Sequence, residues 1–249
     1  MTEKDLRIVI PSRKRVESCR RAFRLVPSAE VCVAESEAED YREFRAALTT
    51  HPDDVAGVSR VRRWILEHRK EKCVVIFDDD VSRVICLVGR KARVITDPVA
   101  VYRIIFNAAS IAEGIGVSLF SFAITPNILN FFPYDPFGFL KANGPCLGFV
   151  GRRLLPDTAL SHNTDADLTL QALLKDRIVW QDTRFMFEHQ IMTNAGGNRH
   201  AISAGSWSAD RHYLKRKWGA YLQEQVSGGV TRMVVKDVAR RQKLELGDL

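Results

Sequence analysis

Three consecutive carboxylates, Asp78, Asp79 and Asp80, stand directly behind the apolar run Val74-Val75-Ile76-Phe77. The run is long enough for a buried strand. The aspartates would then lie at its C-terminal end, where ligands bind in an open α/β sheet. Adjacent carboxylates repel one another unless a cation offsets their charge. The chemistry open to them is to hold a divalent metal against phosphate oxygens; the plainer alternative is a solvated acidic turn. A second acidic pair, Asp165 and Asp167, falls in the first turn of a helix read from Leu168, Leu170, Leu173 and Leu174. Carboxylates at that place also simply suit the helix dipole. A third group is basic: Pro11-Ser12-Arg13-Lys14-Arg15 joins a strand over residues 6–10 to a helix over residues 16–25. Strand, basic turn, helix is a geometry that sets N–H and guanidinium groups on phosphate. No glycine-rich fingerprint accompanies it, which excludes a Walker loop and a dinucleotide-binding turn.

The elements that must position these groups alternate strand and helix. Further strands are expected at residues 29–34, 74–77, 82–88, 91–95, 117–124, 144–150 and 178–187, and helices at 59–72, at 97–111 and from Asp165 onward. Ser59 is the expected N-cap of the helix that carries Val58, Val61, Ile65 and Leu66 at apolar positions. Its basic residues Arg62, Arg63, His68, Arg69, Lys70 and Lys72 read as a solvated face. Arg60, in the first turn, is nearest the ligand-binding edge. Gly89-Arg90 turns a strand pair, and Asp97-Pro98 opens a helix. Residues 126–143 crowd Phe131, Phe132, Tyr134, Phe137 and Phe139 around prolines. These aromatics either pack as a satellite cluster or stack on a base or sugar. Beyond a loop at residues 194–200 the chain turns basic and helical from Asp210, and residues 230–249 read as an amphipathic helix.

Composition narrows the classes. At 249 residues with 46% hydrophobic and 27% charged residues, the chain reads as a globular protein with a sizeable core. Its net charge of +7 suits a polyanionic partner such as nucleic acid or a nucleotide. The five cysteines are odd in number and include no C-x-x-C, which argues against a disulfide framework or zinc ribbon and for a reducing cytoplasm. The Met-Thr-Glu-Lys-Asp start does not read as a signal peptide, and no segment reaches the roughly 18 apolar residues of a membrane span. The expected location is the cytoplasm.

In order along the chain, four features resemble the GT-A type glycosyltransferases: the strand ending at Pro11-Ser12-Arg13, Gly57-Val58-Ser59-Arg60 opening a helix, Phe77-Asp78-Asp79-Asp80 fitting D-x-D, and the strand-Gly151-Thr164-Asp165-Ala166-Asp167-Leu168 arrangement. Family-2 enzymes have E-D-x-D-L at the last of these, so Thr164 departs from the pattern while Asp165 keeps its carboxylate. The match covers roughly residues 6 to 200. More narrowly, the I-P-S-R-x-R start, the compact size, N-x-G-G and a basic end with Trp218-Gly219 resemble the small phage-type TET-associated glycosyltransferases, which modify hydroxymethylated pyrimidines in DNA.

The resemblance implies an α/β fold of GT-A (Rossmann-like) type, a single domain with a central, mostly parallel mixed sheet flanked by helices. That domain would span residues 1–205, with a basic helical extension, 206–249, packed on it. It implies nucleotide-sugar contacts, for a UDP-sugar, from Pro11, Ser12, Arg13, Glu35, Arg60, Asp78 and Asp79, with Asp78 on the ribose and Asp79 the most replaceable of the triplet. Mn²⁺ or Mg²⁺ would be held by Asp80 and His189, with His200 as second choice. Asp165 would be the general base of an inverting transfer. Asp167, Arg199, His200, Arg211, Lys215, Arg216 and Lys217 would face a DNA acceptor. A glycan or protein acceptor is the nearest competing reading. A nucleotidyltransferase would require glycines after the first strand, a nuclease or phosphatase more widely spread carboxylates and histidines, and a non-catalytic nucleic-acid module leaves the acidic motifs unexplained.

Overall fold

The computed structural model of the chain describes residues 1–88, 91–124, 134–151, 153–189, 204–227 and 230–235. At its centre β1 (Leu6–Pro11) and β4 (Cys73–Phe77) run in parallel, paired from Leu6 with Cys73 to Val9 with Ile76. β9 (Cys146–Val150) lies antiparallel on the other side of β4. Every residue of β4 is buried, and a strand covered on both faces is free to be apolar throughout. Its alternate residues feed two cores. Cys73, Val75 and Phe77 pack with Cys19 and Ala22 of α1 (Val16–Leu25) and with Val101 and Ile105 of α3 (Pro98–Gly114). Val74 and Ile76 pack with Ile65 and Leu66 of α2 (Val58–Glu67) and with Leu168 and Ala172 of α4 (Thr164–Asp176).

The strand order is β3 (Leu48–His51), β2 (Glu30–Ala34), β1, β4, β9, β7 (Leu119–Ala123), β10 (Trp180–His189), β5 (Val81–Cys86) and β6 (Arg93–Ile95), with β8 (Phe137–Gly138) also on β10. The first four strands in this order are all parallel; beyond β4 the sheet is mixed, with β7 and β10 parallel and the other pairs antiparallel. Helices cover both faces, so the α/β class and flanked mixed sheet expected from the sequence are what the chain forms. The parallel half brings Pro11, Ala34, His51 and Phe77 to a single edge. β5 starts at Val81, so the aspartate triplet is itself the β4–β5 connection. It is drawn tight by Asp78 N–H donating to the Pro145 carbonyl at 2.7 Å and Val81 N–H donating to the Asp78 carbonyl at 3.3 Å.

Local signals explain several elements. Asp97 caps α3 by accepting from the Val99 N–H at 3.1 Å, with Pro98 at the first helical position. Phe137 and Phe139 pack on Trp180 with ring centroids 4.4 and 5.9 Å away, so they belong to the core and not to a stacking platform, whereas Tyr134 is exposed. One expected helix is corrected: Val230–Val235 is a strand, β12, antiparallel to β11 (Leu222–Ser227). Val230, Thr231, Val234 and Val235 are β-branched, and stiffness at χ1 favours a strand over a helix. Residues 236–249, the Gly89-Arg90 turn, Phe131 and Phe132 lie outside the described residues. α5 (Ala204–Trp218) supplies the basic helix expected near Asp210. The five cysteines are free, and no helix among the described residues is long and apolar enough to cross a membrane.

Gly148 of β9 lies against Phe120 of β7, where a Cβ would sit 2.0 Å from the Phe120 ring. Phe120 is fully buried and has no room to retreat. Overpacking of this kind costs about 1–3 kcal/mol. Gly148→Ala is therefore expected to lower the melting temperature by roughly 4–10 °C, with Phe120→Leu on the same chain recovering part of the loss in calorimetry. An unchanged melting temperature would show that the ring does not fill this gap.

Candidate functional site

A cavity of about 540 Å³ opens at the edge where the parallel strands end, lined by the 11–15 turn, the start of α2 and the aspartate triplet. This is within the size range of small-ligand sites. Pro11, Ser12 and Arg13 line it, as do Asp78, Asp79 and Asp80; Arg60 and Glu35 do not.

The three aspartates diverge. Asp79 is buried, accepts from Ser12 Oγ at 2.6 Å and lies 3.3 Å from Arg15 Nη1. Ser12 Oγ also meets Tyr41 Oη at 2.8 Å, and Tyr41 Oη accepts from the Arg15 N–H at 2.9 Å. Asp79 thus ties the basic turn to the acidic one. The expectation that it is the most replaceable of the three is corrected, because its removal would leave Ser12 and Arg15 without their buried acceptor. Desolvation pushes its pKa up to about 6. The Asp80 carboxyl is likewise raised to about 6, by desolvation and then by Asp78. Arg15 Nη1 is 3.6 Å from Asp80 Oδ2, while Asp80 Oδ1 is buried and has no hydrogen-bond partner among the described residues.

His189 pairs across β5–β10 with Val81, the residue after Asp80, and its Nδ1 is a second buried atom with no partner among the described residues. An orphaned carboxylate oxygen in the β4–β5 turn and an orphaned imidazole nitrogen at the end of β10 are donors of the kind a hard divalent cation takes, with other positions left to ligand oxygens and water. Among the described residues no group of three His, Cys, Asp or Glu side chains could hold a metal unaided.

Arg62 joins the triplet to Asp165. Its Nη2 donates to Asp78 Oδ1 at 2.8 Å and its Nη1 lies 3.7 Å from Asp165 Oδ1. The expected solvated face of α2 is corrected here, since Arg62 is buried. Gly57, at φ +95°, takes the N-cap position, and Ser59 instead donates its Oγ–H to the Leu160 carbonyl. The buried face is therefore Ser59, Arg62, Ile65 and Leu66, and Arg60 is turned out to solvent. The spacing of Ser59, Arg62 and Leu66 carried this signal, because residues three and four apart share a helix face. Asp165 also accepts from the Gly144 N–H at 3.4 Å. Desolvation raises its pKa against the pull of Arg62, and Asp78 adds to the rise.

On the other wall, the 3₁₀ turn Glu35–Glu37 exposes Glu35 and buries Glu37. Glu37 accepts from the Lys14 N–H at 2.8 Å and lies 4.0 Å from Arg13 Nε, so it and not Glu35 faces the basic turn.

The expected acceptor residues separate. Asp167 is fully buried and accepts from Trp218 Nε1 at 2.8 Å and Gln171 Nε2 at 2.7 Å, with Lys217 Nζ 2.7 Å away. Lys217 also pairs with Asp157 at 2.6 Å. Asp167 and Lys217 thus hold α5 onto α4 and do not face an acceptor. Arg211 and Lys215 flank Glu224 at 3.8 and 3.0 Å, and Arg216 is exposed. Arg199 and His200 lie outside the described residues. Asp210, absent from the expected set, is buried and accepts from the Ser161 and His162 N–H groups just before α4. No feature of a lone Asp in a basic helix marks it for that role in the sequence.

The sequence model of a family described as TET-Associated Glycosyltransferase matches residues 6–197. No curated protein matches the chain in sequence. Among solved structures, S. aureus TarS 1-349 in complex with UDP-GlcNAc is similar with a TM-score of 0.53 and 11% identity, over 88% of this chain and 68% of that one. Glucosyl-3-phosphoglycerate synthase from Mycobacterium tuberculosis is similar both with Mg²⁺ and UDP, at TM-score 0.53, and with Mn²⁺, UDP and glucosyl-3-phosphoglycerate, at 0.52. Each shows 12% identity over 94% of this chain and 88% of that one. The chain spans 35% to 68% of the TarS structures it matches. At these identities the likeness establishes the fold alone. The cleft at the C-terminal strand edge and the family match over most of the chain lead to one conclusion: the chain belongs to the TET-associated glycosyltransferase family and has the GT-A fold.

Proposed function

We propose that this enzyme transfers a sugar from a UDP-sugar to the hydroxyl of a 5-hydroxymethylpyrimidine in DNA, with inversion and with a divalent metal. The observation that carries the reading is the buried Arg62 guanidinium at the aspartate-lined cleft, with Asp78 on one side of it and Asp165 on the other. The donor would lie along the 11–15 turn, with Pro11, Ser12 and Arg13 at its nucleotide end and Asp78 on the ribose. Asp80 and His189 would hold Mn²⁺ or Mg²⁺, whose contribution there is Lewis-acid stabilisation of the diphosphate. Asp165 takes the proton from the acceptor hydroxyl as its oxygen bonds to the anomeric carbon. The bond from that carbon to the diphosphate breaks on the opposite face, and UDP leaves with the electron pair.

The DNA acceptor rests on the family and on the charge of +7. A base must leave the stack to enter such a cleft. Arg216, with Arg211 and Lys215 beside Glu224 and with Arg199 and His200, would meet the phosphates. Residues 206–249 would form an extension packed on the catalytic domain, and the enzyme would act in the cytoplasm that holds the DNA.

Three outcomes follow. UDP-glucose or UDP-GlcNAc with Mn²⁺ should raise the melting temperature, and Asp80→Ala should abolish the rise; absence of a shift with every UDP-sugar would refute the donor. Hydroxymethylcytosine DNA incubated with donor should yield a hexosylated nucleoside by mass spectrometry, and Asp165→Asn should cut kcat by about 10² to 10⁴ while leaving the donor-induced shift in place. Transfer only to a glycan or protein would overturn the DNA acceptor.

The third outcome is a pH dependence. Asp79 and Asp80 are raised from 3.8 to about 6 in the folded chain. Their protonated forms are favoured by folding, so this stabilisation is fully present below pH 3.8 and is lost as pH rises through about 6. The displacement is worth on the order of 3 kcal/mol for each carboxyl. A cation binds the ionised forms, so the Mn²⁺-induced rise in melting temperature should be large at pH 7.5 and shrink steeply by pH 5. A rise independent of pH would place the cation elsewhere.

A further inference from the structure

Arg62 touches both halves of the cleft. Its Nη2 donates to Asp78 Oδ1 at 2.8 Å, and its Nη1 stands 3.7 Å from Asp165 Oδ1. Its side chain is only 8% exposed, and its Nε is buried with no hydrogen-bond partner among the described residues. The helix beneath it is firmly seated: Ile65 and Leu66 are fully buried, and Ser59 Oγ donates to the Leu160 carbonyl in the segment that leads into α4. A guanidinium is a planar fork whose two ends are fixed relative to each other. Held at its stem, it relates the position of one carboxylate to that of the other.

We propose that Arg62 is a positioning residue, a buried cross-link that aims the Asp165 carboxylate from the donor-side Asp78. This rests on reading Asp78 as the donor contact and Asp165 as the base. The two carboxylates share one guanidinium, so each contact competes with the other. A donor hydroxyl that engages Asp78 releases more of Arg62 to Asp165, and filling the donor site then orients the base. The groups facing Asp165 are Arg62 from α2, Asp78 from the β4–β5 turn, the Gly144 N–H and its neighbour Thr164; Arg62 favours its ionised form and Asp78 opposes it.

The test is the pH profile of transfer for the wild type, Arg62→Gln, Arg62→Lys and Asp78→Asn, with the donor-induced melting shift measured for each. Arg62→Gln removes the cation and should move the acid limb of kcat to higher pH, by roughly one unit. Asp78→Asn removes the competing anion and should move it to lower pH, while raising the donor KM. Arg62→Lys keeps the charge but loses the fork; its acid limb should stay near that of the wild type while kcat falls at least tenfold. A residue that only fills space moves neither limb. Coincident limbs in all four proteins, with losses confined to donor KM, would overturn the cross-link while leaving glycosyl transfer intact. No transfer by the wild type at any pH would overturn the underlying reading and the cross-link with it. Should Arg62→Gln fail to fold, the direction of the Asp78→Asn shift decides.

Discussion

Four carboxylates, Asp78, Asp79, Asp80 and Asp165, converge on one sheet edge, and two largely buried guanidinium groups make that arrangement tolerable. Arg15 stands beside Asp79 and Asp80; Arg62 stands between Asp78 and Asp165. Neither pairing is complete. Desolvation still lifts the Asp79 and Asp80 carboxyls to about 6, and Asp80 Oδ1 keeps no partner among the described residues. Breaking a buried ion pair by removing one partner is strongly destabilising, so the chain keeps the cleft charged and holds it in shape from behind. The edge is thus left short of positive charge.

The surrounding fold supplies the stiffness. β4 is buried along its whole length and delivers the triplet to the edge, while the tight β4–β5 turn sends the three side chains in different directions. α2 is seated on the face opposite α1 and α3, which lets Arg62 enter the cleft from the side of α4. α4 is in turn fastened to α5 by reciprocal contacts: Asp167 on α4 takes Trp218 and Lys217, and Asp210 on α5 takes the backbone of Ser161 and His162. These ties bracket Asp165. The basic helix therefore anchors the acidic one as well as presenting Arg216 to solvent.

Much of the architecture was legible in the sequence because period and run length report burial directly. The uninterrupted Val74 to Phe77 run, the Asp97-Pro98 helix start and the leucines after Asp165 each sit in the element their pattern indicated. The GT-A match rested on the order of short motifs along the chain, and order survives changes that erase overall identity. Where local signals competed, the pattern misled. Basic residues from Arg232 to Lys243 suggest a helix over 230–249, but its first six residues are mostly β-branched, and pairing with 222–227 decided for a strand there. Ser59 looks like a cap but is turned inward by the Leu160 carbonyl, which rotates the face of α2.

Local pattern is enough to end a buried strand in an acidic triplet, to follow the first strand with a basic turn, and to set Asp165 in a helix start. Which charges meet depends on how the elements pack. Arg60 and Arg62 are both arginines near the same helix start; spacing sets Arg62 on the face of Ser59 and Leu66, but only the packing of that face makes it the partner of Asp78 and Asp165. Asp79 and Asp167 look interchangeable with their acidic neighbours, yet each is buried by partners 67 and 51 residues away in the chain. Burial of a charge is settled by long-range neighbours, because desolvation is tolerable only where an opposite charge or donor arrives from elsewhere in the fold. That is why the residues at the edge could be named from the sequence, while Arg62, Glu37 and Asp210 emerged only once the sheet brought their elements together.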